Sequence, residues 1–317
     1  MNIAQISNLS GRGANLLSKI LVLAKIFRFA EFKPDPSSHL IIKDADTFTG
    51  SAARAEGAPA QKDAQVPITT ARSLSLYTRE ITVDDVRKMD ANVGISPAGL
   101  QFYADRRLGG LAGKLGAEVQ DEMFAGTDAT NRMLGLLNFV KDAAAGGQTA
   151  ALGFTTAELA AMNTQASLQL TSTATQDSFV ELLLKELAKV PGANVILMNV
   201  NLYARMQTIA RRLHSLTVSV DQFGVPVTMF NNIPMVEMPV SALPQTESDG
   251  TNTDNCSLFI ARFAEELGAA FSTNSGFLFT DFENYQVNPS GMSRLQFFLN
   301  LNVERTDALR RLSRIRL

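Results

Sequence analysis

Apolar residues recur at mostly three- and four-residue steps from Leu100 through Tyr103, Leu108, Leu111, Leu115 and Val119 to Met123. That is the spacing of one face of an α-helix. Ser96 and Pro97 stand where an N-cap and a first helical residue belong, and Gly126 is placed for a left-handed stop. Counted from Pro97 to Ala125, the helix is about 40 Å long, longer than most helices in a compact domain. A spine with one apolar stripe needs partners along its whole length, which points to a large flat subunit. A second amphipathic helix is expected over Leu16 to Phe32, with Leu16, Ile20, Leu23, Phe27 and Ala30 on one face and Ser18, Lys25 and Arg28 roughly opposite. The breaker KPDPSS (33–38) follows it.

Period-two runs mark the strands. HLIIK (39–43) and VPITTARSLSLYTREI (66–81) flank a small, polar stretch without apolar period, 45–65, and read as a long hairpin around a loose tip. A hairpin with so little apolar surface has to lie across something else. Thr82 and Asp85 are placed to cap a short helix before the spine. Thr155 and Glu158 form a capping-box pattern. Phe179, Val180, Leu183, Leu184 and Leu187 mark a helix ended by Pro191-Gly192, Asn194 to Met198 a buried strand, and Asn201 to Leu213 a further helix. Two strands punctuated by Asn231-Asn232 are expected within Phe223 to Pro239, then a polar loop (248–255) and a strand over Ser257 to Phe263. The clearest strand comes last. Leu295, Phe297, Leu299, Leu301 and Val303 alternate with Arg294, Gln296, Asn300, Asn302 and Glu304, and only Phe298 is off pattern.

Composition narrows the function classes. The 317 residues are 45% hydrophobic, enough for a sizeable core. Net charge is −2, but the first 33 residues carry +4 and the last 14 carry +3, leaving −9 between them. Solvation and helix-end pairing account for basic ends; a surface facing something anionic is the alternative. Cys256 is alone, so no intrachain disulfide forms. No apolar run is long enough to span a membrane. Leu16 to Phe32 mimics a signal peptide, but Lys25 and Arg28 interrupt it and no small-residue cleavage site follows. Catalytic chemistry is not legible. There is no phosphate loop, nucleophile elbow or zinc-protease motif, and neighbours such as His214-Ser215 and the adjacent carboxylates Asp84-Asp85 and Glu265-Glu266 make no triad or acid/base pair. No catalytic, cofactor or metal residue is assigned.

The order of these parts resembles the major capsid proteins of tailed bacteriophages, the Hong Kong 97-type α+β fold that encapsulins share. FAGTDATNRMLGLLNF resembles that family's turn after the spine, with its Gly-Leu pair at Gly135-Leu136. VILMNVNLYARMQTI resembles its strand and helix start, although Val200 stands where many members have proline. FGVPVTMFNNIP resembles its G-[IVL]-P-V strand and turn, and VERTDALRRLSRI its last strand and basic end. The resemblance implies an N-terminal arm (1–38), an extended E-loop and lead-in to the spine (39–95), a P-domain spine helix and turn (96–139), an A-domain (140–263), and a return to P-domain strands with a basic C-terminus (264–317).

The implied function is a shell subunit that self-assembles as pentamers and hexamers into an icosahedral virion around phage double-stranded DNA, assembled in the bacterial host's cytoplasm. Scaffolding, portal and decoration proteins are the implied partners, with no membrane. Only about 35 residues precede the hairpin, so a large fused scaffold is not expected. An encapsulin-type compartment is the alternative, and a soluble α+β enzyme with an unrecognised site is the rival of another class. Residues placed to face DNA or a neighbour are Lys25, Arg28, Arg106, Arg107, Arg310 and Arg311. Lys62, the one lysine of the hairpin tip, is the candidate for the cross-link some members make. The arm helix could dock on its own body, a neighbour or a membrane interface; the resemblance prefers the neighbour.

Overall fold

The computed structural model describes residues 12–34, 39–43, 68–72, 74–84, 97–129, 132–142, 149–274, 277–284 and 290–317. For 12–15, 39–43, 68–72, 81–84, 97–107, 280–284 and 290–293 it describes the backbone alone. The expected N-cap Ser96, Asp85 and Lys62 lie outside the described residues.

The spine is α2 (Pro97–Ala125), with the limits its periodicity implies. Leu108, Leu115, Val119 and Met123 are buried, while Leu111 is only partly covered. Its end is not the expected left-handed glycine. Gly126 does not have positive φ; Asp128 does (61°). The Asn138 side chain closes the helix instead, its amide donating to the carbonyls of Ala125 (3.0 Å) and Gly126 (2.9 Å), which no further helical turn can satisfy. The turn is tight. A Cβ on Gly135 would come within 2.4 Å of the Phe124 carbonyl oxygen, so the Gly-Leu step before α3 (Leu136–Phe139) has to be glycine.

The arm departs from expectation twice. It is a helix, α1 (Arg12–Leu23), followed by a 3₁₀ turn (Lys25–Arg28), because the chain breaks at Ala24 (φ −106°, ψ 82°). The break resets the helical phase. Leu16, Leu17, Ile20, Leu21 and Ala24 are buried, and Leu23 is 56% exposed. The arm also packs on its own subunit. Ile20 meets the spine at Gly116, where a Cβ would stand 2.8 Å from the Ile20 Cγ2, so the glycine admits the close approach. Beyond the turn, β1 (Phe32–Pro34) adds in parallel to β11 (Ala269–Thr273).

Around the arm and spine lies a five-stranded sheet, β1-β11-β13-β12, in which β4 (Ser75–Asp84) also pairs with β13 (Ser290–Val303). Thr82 lies in β4, so it does not cap a helix. Strand β12 (Phe277–Asn284) was not legible in the sequence. Alternation along β13 is as expected, yet Asn300 and Asn302 are buried too, because this end of the sheet is covered on both faces. The predicted hairpin is β2 (His39–Lys43) with β3 (Ile68–Arg72), from His39↔Arg72 to Lys43↔Ile68. The second arm of that hairpin ends at Arg72, and β4 leaves it for the five-stranded sheet.

The second layer is a seven-stranded sheet in the order β5-β14-β10-β6-β9-β8-β7. It contains β5 (Asn163–Gln169), β6 (Val195–Asn199), β7 (Leu216–Val220), β8 (Pro226–Phe230), β9 (Ile233–Met238), β10 (Asn255–Ala261) and β14 (Leu309–Arg316). Helix α4 (Thr156–Ala161) leads into β5, and α5 (Thr173–Ala188) and α6 (Val200–Arg212) connect strands of the sheet. The Thr155 capping box forms in both directions. Asn231 and Asn232 both take positive φ (49° and 62°), as a tight β8–β9 hairpin turn demands. Residues 264–317 do not stay together. The chain follows the first sheet to Val303 and then crosses, so β14 runs between β5 and β10. The alternation of β14 is hidden by a register shift at Ser313/Ile315.

Candidate assembly surfaces

Among the described residues, much of the basic charge at the two ends is matched inside the chain. Lys25 pairs with Glu237 of β9. Arg28 donates from Nε to the Leu21 carbonyl (2.9 Å) and lies 3.7 Å from the buried carboxylate of Asp221. Lys33 meets Glu304 at 2.9 Å. Arg314 forks onto Asp142 (2.8 and 2.9 Å), and Arg316 onto Asp254. Arg310 donates to the Ala161 carbonyl. Arg311 is 4% exposed. It pairs with Glu247 (3.0 Å), donates to Ser257 Oγ and to the Val140 and Leu137 carbonyls, and lies over the Phe259 ring.

Arg311 is thus buried inside the subunit, and Lys25, its side chain still 37% exposed, and Arg28 both reach carboxylates carried by the second sheet and its turns. Carboxylates in the acidic middle drive this arrangement, since a half-buried cation without a partner is costly. Those partners, Glu237, Asp221, Asp142 and Glu247, were missed in the sequence, although the −9 charge of the middle was their signal. Arg106 and Arg107 fall on the spine helix, where the backbone alone is described.

The side chains that invited a catalytic reading are structural. The Cys256 thiol is buried in β10 and donates to the Ile315 carbonyl (3.2 Å); burial, with Glu247 and Asp254 nearby, pushes it up to about 12. A thiol held protonated is a poor nucleophile. Ser215 Oγ donates to the Ala210 carbonyl, and His214 sits in the turn after α6 with φ 52°. Asp249 falls well below the usual carboxylate range because it accepts backbone N–H bonds from Asn252 and Thr251 and the Asn252 side-chain amide, which organises the polar loop. Among the described residues no group of three or more His, Cys, Asp or Glu is placed to hold a metal, and no helix is long and apolar enough to cross a membrane.

Among the described residues, two groups of exposed apolar side chains lie at the second sheet. One is at a groove of about 380 Å³ between the end of α1 and the second sheet, lined by Leu23, Val200, Met238 and Val240. The other is at the outer edge of the second sheet, on β7.

No protein-family profile matches this sequence, and no curated protein sequence matches it. Solved structures do. A chain of the holo-SrpI encapsulin complex from Synechococcus elongatus PCC 7942 superposes with a TM-score of 0.56 at 14% identity, over 98% of this chain and 94% of that one. A chain from the capsid of the native GTA particle gives 0.56 at 13%, over 96% and 91%. The virus-like particle from Pyrococcus furiosus gives 0.54 at 9%, over 94% and 96%. The chain thus has the Hong Kong 97-type capsid fold, the α+β arrangement its sequence resembles.

Proposed function

We propose that this chain is the repeating subunit of a closed icosahedral shell, the major capsid protein of a tailed phage, and that the shell encloses double-stranded DNA. The observation that carries the reading is the end-to-end likeness, over more than nine-tenths of both chains, to subunits whose structures are a virus-like particle, a GTA capsid and an encapsulin. A hairpin, β2–β3, that forms a two-stranded sheet of its own among the described residues agrees with it. The five segments 1–38, 39–95, 96–139, 140–263 and 264–317 serve as arm, E-loop, spine, A-domain and returning strands, with β14 reassigned to the A-domain sheet. Scaffolding, portal and decoration proteins are the further partners this reading expects, and the virion, built in the bacterial cytoplasm, is its location.

A second reading, an encapsulin-type compartment filled with protein, is favoured by one observation. Much of the basic charge at the two ends is paired within the subunit, which leaves less free charge for DNA than the sequence suggests.

Electron microscopy of the purified protein tests the shell. Pentamers, hexamers or closed particles are expected at micromolar concentration. A strictly monomeric or dimeric species at every salt and protein concentration, with any cognate scaffold present, overturns it. Nuclease-resistant DNA inside the particles supports the capsid reading; a copurifying protein cargo without DNA selects the compartment.

A further inference from the structure

The two edges of the seven-stranded sheet are built differently. Strand β5 is broken by Ser167 at φ 50°, and its pairing with β14 slips beside Arg314 at φ 60°. Bulges of this kind stop an edge from recruiting another strand. Strand β7, Leu-Thr-Val-Ser-Val, has no bulge, no charge and no proline, and among the described residues its outer side pairs with nothing. Val218 and Val220 are 69% and 62% exposed.

Which main-chain groups point outward follows from the ladder. Asp221 N–H donates to the Val225 carbonyl (2.9 Å), and bonded pairs alternate in an antiparallel ladder. Given Ser219↔Val227 and Thr217↔Met229, the residues bonded to β8 are Ser219 and Thr217. Leu216, Val218 and Val220 therefore turn their N–H and C=O groups to the open side. Val220 faces Pro226, which has no N–H to give, so the phase agrees.

The edge is also held rigid and neutral. At the root, Leu216 packs against the second core beside buried Phe230. At the tip, Asp221 accepts from the N–H groups of Phe223 (2.9 Å) and Val225 (2.8 Å), Arg28 stands beside its carboxylate, and Gln222 donates to the Arg28 carbonyl. From Ser215 to Val236 the only charged residue is Asp221, whose side chain is 2% exposed. Next to the root lies a groove of about 290 Å³ lined by Val180, Leu184, Leu213, Thr217 and Phe230, with Leu184 and Leu213 partly in water.

We propose that β7 is an assembly edge, which takes an extended segment of a second copy of this chain as an added strand of the sheet. Main-chain bonds to Leu216, Val218 and Val220 hold the segment, and its alternate apolar side chains rest against Leu184 and Leu213. A second copy is the occupant because the edge offers no charge for DNA or for a charged protein to read, and because a shell presses many copies together. In that respect the inference rests on the proposed function.

Val218→Pro removes an outward N–H without touching the β8 ladder, and Val218→Lys puts a charge on the edge. Both are expected to leave the subunit's melting temperature unchanged. Both should raise the protein concentration needed for particles about tenfold or more, the weight of one or two lost main-chain hydrogen bonds. Hydrogen exchange on wild-type protein reads the same edge without mutation, and it decides the matter if the proline variant misfolds. The Val218 and Val220 amides should exchange freely in the subunit and slowly in particles. Particles that form normally from Val218→Lys, with these amides still open, overturn the edge and leave the shell reading standing. Protection that appears only when a different protein is bound overturns it as well. A wild-type chain that never assembles overturns both.

Discussion

The two hydrophobic cores are filled by different side chains drawn from different distances along the chain. The first carries a connected run of aromatic rings among its aliphatic side chains. Phe277 stacks on Phe297 (4.1 Å), Phe27 meets both edge-on (5.7 and 5.8 Å), and Phe32 continues the run to Phe271 and on to Phe263. Those rings come from the arm and β1 at one end of the sequence and, at the other, from the segment after β10 and from β11, β12 and β13. The second core is aliphatic, built mainly of Leu, Ile, Val and Met from 170–260, and among its buried residues Leu312 and Ile315 arrive from afar. Short α/β connections let neighbours in sequence become neighbours in space. The first core lacks that shortcut and needs the arm, the spine and the last strands present together.

The contrast predicts where the molecule is fragile. The largest effect is expected from deleting residues 1–33. Read as an exchangeable arm, that segment should be dispensable for folding; packed as it is, its loss opens Phe277, Phe297, Leu115 and Val119 to water. The truncated chain should lose cooperative unfolding and bind a hydrophobic dye. A truncated chain that melts like the full one would dissolve the distinction between the cores.

Next is the joint between them. Arg311→Ala leaves Glu247 nearly buried without its cation and orphans the Val140 and Leu137 carbonyls, so urea unfolding should show a loss of about 3–5 kcal/mol. Adding Glu247→Gln should recover part of that loss if the charge, rather than the packing, is what matters.

Leu115→Ala on the spine should cost about 2–5 kcal/mol, while Leu184→Ala, half in water at the rim of the second core, should stay within about 0.5 kcal/mol in the free subunit. Equal costs would mean that the spine stripe is not the packed face.

The smallest effect is alkaline. Burial raises the Cys256 thiol from 9.0 to about 12 and the Tyr77 phenol from 10.0 to about 12. Between those limits the unfolded chain releases protons that the folded one keeps. The contribution of these two groups is therefore fully present below about pH 9 and is lost as pH rises toward 12, by roughly 1 kcal/mol from the thiol at pH 10. Cys256→Ala should flatten the slope of the urea midpoint between pH 9 and 10; an unchanged slope would assign it to other groups.

What the sequence by itself determined was local. The spine's limits follow from a three-to-four period opened by Pro97. The Thr155 box follows from a hydroxyl and a carboxylate three residues apart, and the β8–β9 turn from two adjacent asparagines that tolerate positive φ. The order of such parts was enough to carry the likeness to capsid proteins. What only the tertiary structure decided was where distant segments meet. Nothing within 1–33 says that the arm closes its own core, because an apolar stripe states that it must be covered and not by what. Nothing in LRRLSRIR sends β14 to the second sheet, since its alternation is interrupted by the bulge. The basic ends looked free because the carboxylates that match them lie up to 271 residues away. The open edge at β7 was illegible for the same reason: a strand's sequence fixes its faces, while the fold chooses which of its sides is left without a neighbour.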